Sequence, residues 1–421
     1  MTGRVDLAIN IKKMVNESKH STDLTEDAFR LEVQNFFSKE GNEVDNKVEG
    51  IGDADTTSLD RAKSFQLALS EAGLAGITYS KEYGGAGLTD QFQEIFSEIA
   101  SKWDSPTSPF SISHGMCLPM LNQFGTHDQK LRFMPDNISG KTIWCQLFSE
   151  PGAGSDVASL STRAVLDGDE WIINGQKVWT SGAHYCDYGI VVARTDPSLP
   201  KHRGLTMFII NLTDPAIEVR PLKQISGGKG FNEVFFTDLR IPADFQLGEL
   251  NQGWNLAVSM LMFERVSIGA SAGGLNTDRS TDLIRLAQSS GRSKDPVMRQ
   301  KLADLWIREK IKSFIGQRIR DAVSAGQVPG PEGSIAKLNG ALLARIIRDT
   351  SIDLVKTQAQ AWESEDLDGD QWAVGCMAAA GISIAGGTDE VQRNIIGERV
   401  LGLPKEPDPF KGAAWEDVPR S

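Results

Sequence analysis

The apolar residues of this chain change their spacing twice, and that change limits the fold more than any single motif. Leu24 to Phe37 places them three and four apart, the helical period. Leu59 to Ala72 repeats the pattern, with Gly73 placed to stop a helix, and Gln91 to Ala100 starts another. From about Cys145 to about residue 245 the texture is that of short strands between turn residues. After Ile241-Pro242 the helical period returns: Trp254 to Ile268 is apolar almost all round, as a buried helix is, and Lys301 to Ala325 and Ile335 to Ala361 are long and amphipathic. Helices, strands, helices without βαβ alternation, and no G-x-G-x-x-G after a strand, exclude a Rossmann nucleotide domain. The expected fold is α+β, mostly α. An N-terminal helical domain covers residues 1–143, an antiparallel β-barrel or sandwich 144–245, and a C-terminal helical bundle 246–421.

Within the β block, Glu170 to Trp179 carries Asn174-Gly175 between two strand-like runs, the signal of a type I′ hairpin. Tyr188–Arg194, Leu205–Asn211 and Asn232–Asp238 also read as strands. The 44 basic and 56 acidic residues leave a net charge of −12, the opposite of a nucleic-acid footprint. Cys117, Cys145, Cys186 and Cys376 form no C-x-x-C pair, and the five histidines show no H-x-x-x-H spacing, so no metal site is expected. His114 and His184 read as hydrogen-bonded structural residues. Asp366-Leu367-Asp368-Gly369-Asp370 lacks the terminal Glu of a calcium loop and reads as a solvated loop. Scattered thiols, no apolar leader and no membrane-length apolar run point to a cytoplasmic protein without a membrane span.

The 41 glycines follow no Gly-X-Y period, which excludes collagen and gives them local tasks. Gly84, Gly85 and Gly87 mark a loop that no helix tolerates. Gln146-Leu147-Phe148-Ser149-Glu150-Pro151-Gly152-Ala153-Gly154-Ser155-Asp156 joins the first helical region to the β block. Composition alone reads it as a surface linker of turn residues. Its glycines and hydroxyls also suit a loop that aims backbone N–H groups at an anion or a flat heterocycle.

This segment, with Asn174-Gly175-Gln176-Lys177-Val178-Trp179-Thr180-Ser181-Gly182, resembles the signature region of the acyl-CoA dehydrogenase family. The resemblance extends to Tyr83-Gly84-Gly85-Ala86-Gly87 upstream and Gly386-Gly387-Thr388-Asp389-Glu390-Val391-Gln392-Arg393-Asn394 downstream, covering residues 25 to 404 in order. It implies the three-part helix–β–helix fold and a bound FAD shared across a subunit interface. By motif position, Gln146, Phe148 and Ser149 line the flavin, and Gly154 and Ser155 lie close to it. Trp179 packs beside its ring, and Thr180 and Ser181 bond its polar edge. Thr388 and Glu390 approach FAD, and Ser155 also faces the CoA chain. An aromatic face beside a ring and hydroxyls on its heteroatoms make physical sense of that set.

The family's chemistry removes an α-proton from an acyl thioester while the β-hydride passes to the flavin, which needs a carboxylate beside the α-carbon. In many members that base is the Glu of an E-G-T motif, whereas this chain has Gly386 in its place. A minority, including isovaleryl- and long-chain-type enzymes, carries the base on another helix just before an Arg. Here Glu264 holds that position, with Arg265 beside it directed at CoA or an interface. A carboxylate among Leu261, Met262, Val266 and Ile268 is desolvated, which raises its pKa toward that of a useful base. The resemblance therefore implies an acyl-CoA substrate, an electron-transfer flavoprotein as acceptor, and a homodimer or homotetramer. The family's R-x-x-F and Q-x-x-G-G motifs are not evident, Arg292 being a substitute for the first. That departure keeps two other readings in view: a non-catalytic subunit of a hetero-oligomer, and a flavin monooxygenase or oxidase.

Overall fold

Helix α1 (Glu26–Glu40) forms because Phe29, Val33 and Phe37 recur on one face, and all three are buried. It packs on α2 (Thr56–Glu71) and α3 (Asp90–Ala100), the latter contributing Phe92, Ile95 and Ile99. Two further helices, α4 (Leu118–Phe124) and α5 (His127–Ile138), complete the N-terminal layer, preceded by a π-helical turn at Ser113–Cys117. The start of α5 is a full capping box, in which Thr126 and Gln129 satisfy each other's backbone N–H. The computed structural model describes residues 24–40, 42–43, 56–271, 279–324, 330–359 and 367–419.

The middle segment is one eight-stranded sheet: β1 (Trp144–Leu147), β2 (Arg163–Asp167), β3 (Glu170–Ser181), β4 (Tyr188–Arg194), β5 (Leu205–Asn211), β6 (Ile217–Leu222), β7 (Phe231–Pro242) and β8 (Gln246–Leu247). Its order is β8-β5-β4-β2-β3-β7-β6, with β1 on β4. The ladders are antiparallel except at β1–β4, which is parallel, and at a single parallel bridge between Arg163 and Arg194. The crossover follows from β1 entering the sheet straight from the N-terminal helices.

Two expectations fail here. Asn174-Gly175 is no hairpin: β3 runs unbroken through it, with a bulge in its pairing to β7 between Ile173 and Gly175. Gly175 is needed because a Cβ there would lie 2.7 Å from Thr162 Cα, at a φ of +151°. The Asn174 side chain accepts from the Asp238 N–H at 2.9 Å and donates to Asp238 Oδ1 at 3.0 Å, so it joins two strands instead of turning one. The real hairpin turn is one step earlier, where Gly168 (φ +67°) lets Asp167 pair with Glu170. The other failure is the acidic run after Asp366, which itself lies outside the described residues: residues 367–370 open helix α10, a turn of helix and not a loop.

The C-terminal helices are α6 (Gly253–Ser271), α7 (Arg279–Ser289), α8 (Pro296–Ser324), α9 (Gly333–Val355), α10 (Leu367–Ile382) and α11 (Asp389–Ile395). Helix α9 stops at Val355, short of the Ala361 that the periodicity suggests, where Lys356 turns to φ +52°. One apolar core runs from α1 through the sheet to Leu256, Ala257 and Met260 of α6. A smaller one joins α7, α8 and α9. Phe133 of α5 meets Trp144, Tyr188 and Phe245 edge-on at 5.4 to 5.5 Å, which fixes the helical layer to the sheet.

Candidate active site

The 146–156 loop owes its shape to a buried ion pair. Lys177 is fully buried on β3, and its Nζ donates to Glu150 Oε1 at 2.8 Å and to the Phe148 carbonyl at 3.0 Å. Glu150 accepts three more hydrogen bonds, from Ser161 N–H (2.7 Å), Ser161 Oγ (3.0 Å) and Thr162 N–H (2.9 Å). Burial alone would raise its pKa; the Lys177 charge and these donors together hold it down to about 2. Burial lowers the Lys177 pKa more than Glu150 raises it. Two oxygen acceptors within 3.0 Å nevertheless match an ammonium, so the pair stands ionised at neutral pH. The Val178 N–H donates to the Ser149 carbonyl at 2.9 Å, so loop and strand are joined at three successive residues.

Beyond this joint the pairing of β3 slips between Lys177 and Thr180. Trp179 takes φ +61° and projects outward, 61% exposed, with only its edge against Phe231. A bulge that turns an aromatic out of a sheet costs both strain and apolar exposure, which is the pattern of a binding surface. Thr180 returns inward, 2% exposed, and its Oγ1 has no hydrogen-bond partner. Ser181 is half-buried beside it. On the facing loop, Gly154 and Ser155 are exposed, and a Cβ at Gly154 would meet open space. Hydrogen bonds thus join residues 148–150 of the loop to residues 177–178 of β3, directly before Trp179–Ser181. Gln146 is half-buried on β1, and the Phe148 ring is in the core, leaving that residue only its backbone to offer.

The remaining expected residues are elsewhere. Thr388 caps α11 by accepting from the Val391 N–H, and Glu390 is exposed with Arg393 at 3.6 Å. Between them buried Asp389 turns back to Arg345 and Lys337 of α9, which anchors the turn. Gly386 and Gly387 open this turn at φ +66° and +89°, with Gln392 Nε2 donating to the Gly386 carbonyl at 2.8 Å. Glu264 is half-buried on α6, a helix packed on β4, β5, α9 and the π-helical turn. Arg265 follows it in the same helix, its side chain outside the described residues. Arg292 is committed to Asp295 and to the Asp353 carbonyl, which explains its presence without a dinucleotide.

His114 stacks on Phe110 at 4.9 Å and donates from Nε2 to the Asn137 carbonyl at 2.9 Å. His184 lies 3.1 Å from Asn232 Oδ1. Both are structural, as the sequence suggests. Glu150 and Lys177 were not legible as site residues, although Lys177 shares the inward parity of Trp171 and Ile173.

Family models for the acyl-CoA dehydrogenase N-terminal, middle and C-terminal domains match residues 23–141, 145–239 and 251–401. The chain belongs to the acyl-CoA dehydrogenase family and is an enzyme of that family. It is 35% identical to acyl-CoA dehydrogenase IpdE1 of Mycobacterium tuberculosis over 83% of this chain and 89% of that one. Among solved structures it resembles the Tcur3481-Tcur3483 steroid ACAD, with a TM-score of 0.75, 25% identity and coverage of 96% and 99% of the two chains. The ChsE4-ChsE5 complex of M. tuberculosis is similar at a TM-score of 0.70 and 26% identity, over 92% of this chain and 100% of that one.

Proposed function

We propose that this enzyme, divided at residues 1–143, 144–245 and 246–421, oxidises a steroid-derived acyl-CoA to its trans-2-enoyl-CoA. FAD is its cofactor, and an electron-transfer flavoprotein is its acceptor. Glu264 takes the α-proton. The observation that carries the reading is the backbone at Gly386: the position that bears the base in many relatives here holds a glycine in left-handed conformation, where a glutamate is disfavoured, while α6 supplies a half-buried carboxylate. The steroid class is supported by the name of the solved relative and by the similarity to IpdE1.

The residues fit FAD. A buried Thr180 Oγ1 without a partner and a Trp179 ring turned to solvent are features a folded protein avoids; a flat heterocycle with polar edges satisfies both, and Gly154 leaves room for it. Gln146, Phe148, Ser149, Gly154, Ser155, Trp179, Thr180 and Ser181 would hold it, with Thr388 and Glu390 at the start of α11 as further contacts. When bound, FAD supplies the acceptor for the β-hydride. Ser155 and Arg265 would hold the CoA moiety, and one carboxylate oxygen of Glu264 would accept the α-proton and later release it to solvent.

A subunit of a hetero-oligomer is the second reading, favoured by the commitment of Arg292 within its own helical bundle and by similarity to a structure of two named components. The Glu264→Gln variant tests the first reading: it should purify yellow with parental FAD content and show no bleaching by acyl-CoA. A variant that still dehydrogenates contradicts the assignment of the base.

A further inference from the structure

The tail after α11 lies beyond residue 401, where the family match ends, and is exposed from residue 401 to residue 412. It then plugs into the middle segment. Trp415 is 8% exposed, its N–H donates to the Leu199 carbonyl at 2.9 Å, and its indole Nε1 donates to the Ser159 carbonyl at 3.2 Å. The Glu416 N–H donates to the Pro197 carbonyl at 3.1 Å. Beneath the indole, 4.5 Å from its centre, sits the Arg194 guanidinium. Arg194 in turn donates to the carbonyls of Ala158 (2.6 Å), Leu160 (3.2 Å) and Lys201 (3.0 Å).

These contacts converge on the segment that continues the 146–156 loop. Asp156 binds Lys201 Nζ at 2.7 Å and accepts from Ser159 Oγ at 2.5 Å, so the turn after Ser155 is attached to the 197–203 loop that the tail covers. The same loop carries His202, which meets Trp254 of α6 edge-on at 4.8 Å, and Asp408 of the tail is close enough for its charge to act on His202. A large aromatic seated on the Arg194 guanidinium of β4 and on two loops orders all of them at once.

We infer that the C-terminal tail is a strap, with Trp415 as a positioning residue that holds the Gly154–Ser155 loop in the geometry that receives the acyl-CoA. The inference rests on the reading above that this loop faces the CoA chain. Removing the strap releases the loop and weakens thioester binding, while the flavin contacts of β3, fixed by Lys177 and Glu150, remain.

The test is Trp415→Ala in the full chain, with Trp415→Phe, which keeps the ring over Arg194 but loses the indole donor, as the milder variant. Hydrogen exchange of residues 155–160 in the flavin-loaded protein should speed up in Trp415→Ala and change less in Trp415→Phe. The KM for acyl-CoA should rise about tenfold with kcat per flavin and the flavin spectrum unchanged. Unchanged exchange and KM would overturn the strap, as would loss of flavin with an unaltered KM. If Trp415→Ala does not fold, the same two readouts on Trp415→Phe decide. Should no acyl-CoA reduce the parent enzyme, the functional reading fails, while the exchange at 155–160 still judges the strap.

Discussion

Lys177 and Glu150 show how a single pair of side chains shapes the proposed cofactor surface. A fully buried ammonium with its carboxylate removed has no other anion within the described contacts. Glu150→Gln and Lys177→Met should each destabilise the protein by about 3–5 kcal/mol and release FAD more readily, measured by thermal unfolding and by flavin retention on gel filtration. A variant as stable and as yellow as the parent would dismiss the pair. Glu150 also sets an acid limit. Its folded pKa is depressed, so its contribution is present above the ordinary 4.5 and is lost as pH falls toward about 2. His114 acts earlier. Burial lowers its pKa from 6.5 to about 4, against the hydrogen bond to the Asn137 carbonyl, which raises it. The unfolded chain takes up this proton first, so stability falls as pH drops from 6.5 toward 4. His114→Gln keeps a donor for the Asn137 carbonyl and should flatten the pH dependence of Tm over that interval; an unchanged slope would mean that other groups govern it.

At the scale of elements, the helices were legible because each needs only its own face. Phe29, Val33 and Phe37 mark α1, and Gly73 at φ +70° ends α2 where the periodicity places the stop. Two strands, Tyr188–Arg194 and Leu205–Asn211, were legible to the residue, but the run through Asn174-Gly175 was not. Asn-Gly has the same local preference whether it turns a hairpin or relaxes a bulge, and only Asp238, 64 residues away, decides between them. The site divided in the same way. Loop and strand motifs marked the residues proposed to face the flavin, but nothing local reveals that Lys177 reaches Glu150, 27 residues earlier in the chain. Gly175→Ala tests the bulge: contact with the Thr162 backbone should cost about 1–3 kcal/mol, visible as a lower Tm, whereas a true hairpin turn with open space would be affected less.

For the whole molecule, the continuous core means that the N-terminal helices and the sheet should unfold as one unit, with the α7–α9 cluster a separate candidate for earlier loss. Ile307, Ile311 and Phe314 form an exposed apolar stripe on α8, consistent with assembly through that helix. Among the described residues, no helix is long and apolar enough to cross a membrane. Whether Glu264 or the 386 position supplies the base is decided by anaerobic titration of the FAD-loaded parent and of Glu264→Gln with a steroid-derived acyl-CoA, followed by flavin absorbance. The parent should bleach, and the variant, equally yellow, should not. Bleaching of both would contradict Glu264 as the base.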